Sequence, residues 1–168
     1  MTEYIKEITP EEVIDRYADM VYRLALLQVN NQTDAEDVFQ EVFIRLVKNI
    51  HKLQSWEHVK AWLIRVTINC SKKHFTSNAT KSFYAMEETE EPGFEEDGFL
   101  KAEGDGPVTE AVKKLPPKYR SVVHLFYYEE LSVAEIAAAT KQKETTVKSQ
   151  LFRAREMLKE MLKGEITL

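Results

Sequence analysis

LSVAEIAAATKQKETTVKSQLFRAREML, Leu131 to Leu158, is the stretch on which the fold class turns. Ser132 followed three residues later by Glu135 is a capping box, in which side chain and backbone satisfy each other at a helix start. Val133, Ile136 and Ala137 give that short helix its apolar side. The segment Thr140 to Lys143 carries no apolar residue and breaks the pattern. The spacing predicts a longer helix from about Glu144, with Val147, Leu151, Ala154, Leu158 and Met161/Leu162 on one stripe. Thr145, Thr146, Lys148, Ser149 and Arg153 fall on its other face. A capped helix, a turn, and a second helix with hydroxyls and cations near its start make a helix-turn-helix, whose second helix enters the DNA major groove. Spacing alone fits a plain helix pair with a solvated cationic face equally well.

Working outward, the charge is unevenly spread. Residues 1–47 hold 4 basic and 10 acidic residues, and residues 48–76 hold 6 and 1. Residues 77–110 hold 2 and 10, and residues 111–163 hold 11 and 6. Two basic blocks therefore alternate with two acidic ones inside a chain of net charge -5. The local field decides whether a surface attracts phosphate, so the acidic total does not exclude nucleic acid. It does predict weak binding by the isolated protein. No long apolar run marks a membrane span, and the acidic N-terminus lacks a signal-peptide core. With one cysteine, Cys70, no internal disulfide is possible, which fits a reducing compartment and predicts a cytoplasmic protein.

Taken in order, Thr9-Pro10-Glu11-Glu12 opens a helix reaching about Val29. Asn30 to Gln32 reads as a loop, and Thr33 with Glu36 as the cap of a second helix to about Ile50. Its expected core stripe is Ala35, Val38, Phe39, Val42, Leu46 and Ile50. A loop over 51–55 ends at Ser55, which caps a third helix from Trp56 to Phe75. Residues 77–106 hold four of the five glycines and many carboxylates without periodicity, which predicts a flexible acidic linker. A short helix from Val108 to Leu115 precedes Pro116-Pro117, and a further helix runs from Lys118 to about Glu129. The expectation is an all-α fold of two small helical domains, 8–76 and 107–163, joined by that linker.

The third helix has two characters. Val59, Trp62, Leu63, Val66 and Cys70 form an apolar stripe, while His58, Arg65, Asn69, Lys72 and Lys73 lie along another side. Cations there suit phosphate, and the amide suits a base edge. Trp56 offers a ring on which an unstacked base can sit, or else a core side chain. The four histidines lack metal-ligand spacing, and no glycine-rich phosphate loop or nucleophile elbow occurs, so no enzyme, metal or cofactor is expected.

Four segments together resemble bacterial RNA polymerase sigma factors of the extracytoplasmic function (ECF) group. They are DAEDVFQEVFIRLVKNI (Asp34–Ile50), KAWLIRVTINCSKKHF (Lys60–Phe75), LPPKYRSVVHLFYYEELSVAEIA (Leu115–Ala137) and TTVKSQLFRAREML (Thr145–Leu158). The resemblance implies that Asp37, Gln40, Glu41 and Arg45 dock on the polymerase clamp helices. It implies −10 element binding by Trp56, His58, Arg65, Asn69, Lys72 and Lys73, with a flipped base held by the preceding loop. It assigns −35 element binding to Thr145, Thr146, Lys148, Ser149, Phe152 and Arg153. The implied partners are core RNA polymerase (clamp helices and flap), promoter DNA and an anti-sigma factor, with no direct membrane contact and a monomer when free.

Three positions depart from the family pattern. Lys141 stands where the turn usually has glycine, Thr145 where glycine is common, and Gln150 where arginine is common. The chain ends at Leu168, soon after the last helix, so no appended domain is expected. Two other readings share the helix-turn-helix: a dimeric DNA-binding regulator that acts without polymerase, and an adaptor that binds only proteins. The adaptor leaves both basic blocks unexplained.

Overall fold

Caps set the helix boundaries. A computed structural model describes residues 7–77 and 107–166. Helix α1 (Pro10–Val29) starts with Thr9, whose hydroxyl accepts from the Glu12 N–H at 3.2 Å while the Glu12 carboxylate accepts from the Thr9 N–H at 3.1 Å. It ends at Asn30, which takes the left-handed conformation at φ 63°. Helix α2 (Gln32–Asn49) begins at once, with the Asn31 side chain accepting from the Asp34 N–H at 2.8 Å. Asn31 therefore replaces the expected Thr33–Glu36 box. Paired asparagines satisfy both needs of a sharp corner: the first tolerates a left-handed backbone and the second is a strong N-cap.

A 3-10 turn (Ile50–Lys52) occupies part of the expected loop, and Ser55 accepts from the His58 N–H at 3.0 Å to open α3 (Trp56–Ser77). The expected linker lies outside the described residues, apart from Ser77 at the end of α3. Then come α4 (Pro107–Lys113) and α5 (Pro117–Val123). The helix expected to reach Glu129 widens instead into a π-turn, His124–Tyr128. Widening matters because residues five apart, which diverge on an α-helix, come together on a π-turn. His124 Nε2 thereby lies 2.9 Å from the Glu129 carboxylate.

Helix α6 (Val133–Thr140) carries the capping box read from the sequence, with both bonds present at 2.8 and 3.0 Å. Helix α7 (Glu144–Ile166) follows. Between them Lys141 sits at φ 58°, ψ 46°, the conformation that glycine adopts most easily. A left-handed non-glycine residue costs about 1–2 kcal/mol, and glycine gives back about 0.4–1 kcal/mol through the unfolded chain. Lys141→Gly is thus expected to stabilise the protein by about 0.5–1 kcal/mol, read as a higher urea midpoint.

Helices α1, α2 and α3 pack on one another, while α4, α5 and α6 each pack on α7. No strand occurs among the described residues. The core in the first half contains Val13, Val21, Leu24, Val38, Val42, Leu46, Val59 and Leu63. Phe43 also joins it, although the expected α2 stripe omitted it. It continues as one cluster into the second half through Leu115, Val122, Leu125, Ile136, Val147, Leu151 and Ala154. The two halves also touch, α1 against α5 and α3 against α6. Arg23 of α1 forks onto Glu129, with Nε and Nη2 each 3.1 Å from a carboxylate oxygen. Gln28 donates to the Ser121 hydroxyl at 2.6 Å in a buried setting.

Burial alone pushes the Glu129 carboxyl up, but hydrogen bonds from His124 and Arg23 outweigh it and hold the carboxyl below its ordinary value of 4.5. The stability this carboxylate lends is complete above 4.5 and is lost as pH falls through the lower folded value.

Candidate nucleic-acid interface

Helix α7 divides cleanly. Val147, Leu151 and Ala154 are buried on one side. Thr145, Thr146, Lys148, Ser149, Phe152 and Arg153 are all exposed on the other, so all of these expected residues share one face. Phe152 is 59% exposed, a large ring left outside a core that its neighbours enter. An exposed apolar ring among hydroxyls and cations suits a thymine methyl in a groove otherwise read by hydrogen bonds. Gln150 is used differently: its amide and that of Gln142 exchange hydrogen bonds at 3.0 and 3.1 Å. That pair fastens the turn to α7.

On α3, His58, Asn69, Lys72 and Lys73 are exposed and Arg65 is half-buried. Steps of seven, four and three bring His58, Arg65, Asn69 and Lys72 onto one narrow arc. Arg65 Nε is buried without a hydrogen-bond partner, so its donor is unsatisfied in this state. Trp56 does not join that arc. It lies two residues before His58, about 200° around the helix, and packs against Tyr17 with ring centroids 6.1 Å apart. The Arg16 guanidinium covers its ring at 4.0 Å. Arg16 was not singled out in the sequence, because nothing local links it to a tryptophan forty residues later.

Lys73 is tied to α2. Its ammonium lies 2.9 Å from the Glu41 carboxylate, which Arg45 also holds at 2.7 Å. The hydrogen bond from Lys73, aided by Arg45, keeps the Glu41 carboxyl below its ordinary range despite some burial. Asp37, Gln40 and Arg45 are exposed and Glu41 is half-buried. Between them stand two apolar side chains the sequence reading passed over, Ile44 at 55% and Val47 at 57% exposure. Both fall off the Val38–Val42–Leu46 stripe, a signal that was available. Beside this face a shallow groove between α1 and α2 is lined by Asp19, Tyr22, Glu36, Phe39 and Gln40.

Cys70 is buried, and burial pushes its thiol up. Among the described residues no His, Cys, Asp and Glu group is placed to hold a metal ion, and no helix is long and apolar enough to cross a membrane.

The exposed chemistry thus consists of an amide among cations on α3, a mixed polar and aromatic face on α7, and a polar strip with an apolar centre on α2. The chain is also similar to known proteins. Residues 13–80 match the family model of sigma-70 region 2, and residues 106–158 that of sigma-70 region 4. The ECF RNA polymerase sigma factor SigW of Bacillus subtilis (strain 168) is 29% identical over 164 residues, spanning 90% of this chain and 88% of the relative. SigM of the same organism, also an ECF RNA polymerase sigma factor, is 31% identical over 162 residues, spanning 90% and 94%. The fold is shared with the sigma factor RpoE solved in complex with the anti-sigma factor NepR from Bartonella quintana. There the TM-score is 0.64 at 19% identity, covering 91% of this chain and 96% of that one. The chain belongs to the ECF group of the sigma-70 family of RNA polymerase sigma factors.

Proposed function

We propose that this alternative sigma factor binds core RNA polymerase, brings it to specific promoters and promotes opening of the −10 region. Residues 8–76 form the clamp- and −10-binding domain, 77–106 the linker, and 107–163 the −35-binding domain. On α2, Asp37, Gln40, Glu41 and Arg45 meet the clamp helices around Ile44 and Val47. On α3, Asn69 reads a base while His58, Arg65, Lys72 and Lys73 meet the strand. A flipped base reaches the Trp56 ring only after Arg16 leaves it. On α7, Thr145, Thr146, Lys148, Ser149, Phe152 and Arg153 read the −35 element, and the surrounding helices meet the flap.

The observation that carries this reading is the exposure of the whole expected α7 face opposite a buried Val147–Leu151–Ala154 stripe. The chain itself changes no covalent bond. Melting is driven by tighter binding of the opened strand than of the duplex. The protein works in the cytoplasm, as a monomer when free, and is bound by an anti-sigma factor, as RpoE of Bartonella quintana is in its complex with the anti-sigma factor NepR.

Two sets of substitutions test the division of labour. Lys148→Ala and Arg153→Ala are expected to weaken closed-complex formation, each by about 5- to 150-fold for contacts of about 1–3 kcal/mol. Asn69→Ala and Lys72→Ala are expected to leave closed-complex footprints near the parent level and to reduce permanganate-reactive, melted DNA. Equal loss of closed-complex binding in both sets would refute the assignment.

A further inference from the structure

Trp56 is the first residue of α3, directly after the 51–55 loop. Gln54, Ser55, Glu57 and His58 around it are exposed, while Trp56 itself is half-buried. Two neighbours on α1 reach its ring. Tyr17 packs against it with the ring planes 53° apart and the centroids 6.1 Å apart. Arg16 is exposed and lays its guanidinium over the indole, 4.0 Å from the centroid. At that distance the flat cation covers the ring face as a stacked base would. Because Arg16 is itself exposed, the face it covers is the one open to solvent. One face holds one flat group, so Arg16 and an unstacked base compete for it.

Charge does not bring a base there. Residues 10–20 hold four carboxylates, Glu11, Glu12, Asp15 and Asp19, with Arg16 as their one cation. Such a surface repels a DNA strand, so stacking must supply the attraction. The magnitudes then decide which group holds the ring. An exposed cation over an aromatic face is worth about 2- to 5-fold in an equilibrium constant. An unpaired base stacked on an aromatic ring is worth about 5- to 150-fold. A base already out of the duplex therefore displaces Arg16. A paired base must first give up its own stack and partner, so it does not.

We infer that Arg16 is a specificity-determining residue of −10 opening, which occupies the Trp56 face in place of a base and yields it only to a base that has left the duplex; this rests on the function proposed above. Arg16 weakens capture of every unpaired base by the strength of its own stack. It thereby raises the threshold for opening and favours promoters whose −10 bases unstack readily. Arg23, the other cation of α1, is engaged by Glu129 and does not share this place.

The test uses holoenzyme assembled from core polymerase and the full chain. Its probe is a fluorescent single strand carrying the non-template −10 sequence of a mapped start site, with the matching duplex as control. Arg16→Lys keeps the charge but loses the planar stack. It is expected to bind the single strand about twofold more tightly and to leave duplex binding unchanged. Arg16→Ala also removes a cation that attracts phosphate, and Trp56→Ala separates the two effects. Without the ring, Arg16→Ala reports only the lost charge. With the ring present, its effect on single-strand Kd should be more favourable by about two- to fivefold. Thermal unfolding checks that Trp56→Ala stays folded, and Arg16→Lys, an exposed substitution, carries the test if it does not. The inference is overturned if Arg16→Lys binds the single strand no more tightly than the parent, or gains equally on duplex. It is also overturned if Arg16→Ala has the same effect with and without the ring. A holoenzyme that initiates at no promoter overturns the function reading, and the exchange with it. One that initiates yet shows neither change overturns the exchange alone.

Discussion

Ile44→Asp is expected to weaken binding to core RNA polymerase by about a hundredfold, or about 2.7 kcal/mol, with the fold almost unchanged. Ile44 and Val47 are more than half exposed on α2, off the stripe that builds the core. A β-branched residue there contributes little to folding, and exposed substitutions usually shift stability by within about 0.5 kcal/mol. Asp37, Gln40, Glu41 and Arg45 rim the pair, and Arg45 and Lys73 already neutralise Glu41. An apolar centre within a polar rim is the anatomy of a protein interface, whose central residues dominate its energy. Aspartate at that centre loses apolar burial and adds a desolvated charge without a partner. Titration of labelled protein with core gives the affinity, and thermal unfolding gives the control. A folded variant that binds as tightly as the parent removes α2 from the docking surface.

Arg120→Ala is expected to destabilise the C-terminal half by about 3 kcal/mol. Arg120 is buried, and its Nη1 donates to the carbonyls of Lys113 and Leu115 at 3.1 and 3.3 Å. Those carbonyls end α4 and lead into Pro116-Pro117, where neither proline has an N–H to offer. Truncation orphans both acceptors at about 1–3 kcal/mol each and leaves a cavity of about 2–4 kcal/mol. Against that stands relief of a poorly solvated cation. Burial pushes the guanidinium down to about 10, and Arg120 Nε has no hydrogen-bond partner. That shift corresponds to roughly 3 kcal/mol returned on removing the charge. The losses exceed the relief. Arg120→Met fills most of the volume and removes the cation, so it should cost less, about 1–2 kcal/mol. Urea unfolding that ranks methionine below alanine in stability would reverse this account.

Helix positions were readable because their signals are local. The Thr9-Pro10-Glu11-Glu12 start and the Ser132–Glu135 box need only four residues each, and the α7 stripe only its own periodicity. The α2 start was misplaced because Thr33–Glu36 is as good a local pattern as Asn31. What decides is the left-handed Asn30 that lets α1 stop beside it. The π-turn at His124–Tyr128 leaves no periodic trace, since one widened turn only shifts later positions. Of the faces expected to meet nucleic acid, the α7 set emerged together on one side. On α3, Trp56 stood apart under Arg16, and Lys73 was engaged by Glu41. The Arg23–Glu129 fork joins residues 106 apart, and only the folded chain brings them together. Leu24 to Leu27 carried an unread hint, an apolar run too broad for a helix with one buried side.

The most direct measurement is transcript 5′-end mapping on genomic DNA with purified core polymerase, with and without this protein. New start sites that share two spaced upstream elements, and that disappear with Ile44→Asp, are expected. No new starts, from core that remains active with another sigma factor, would contradict the proposed function.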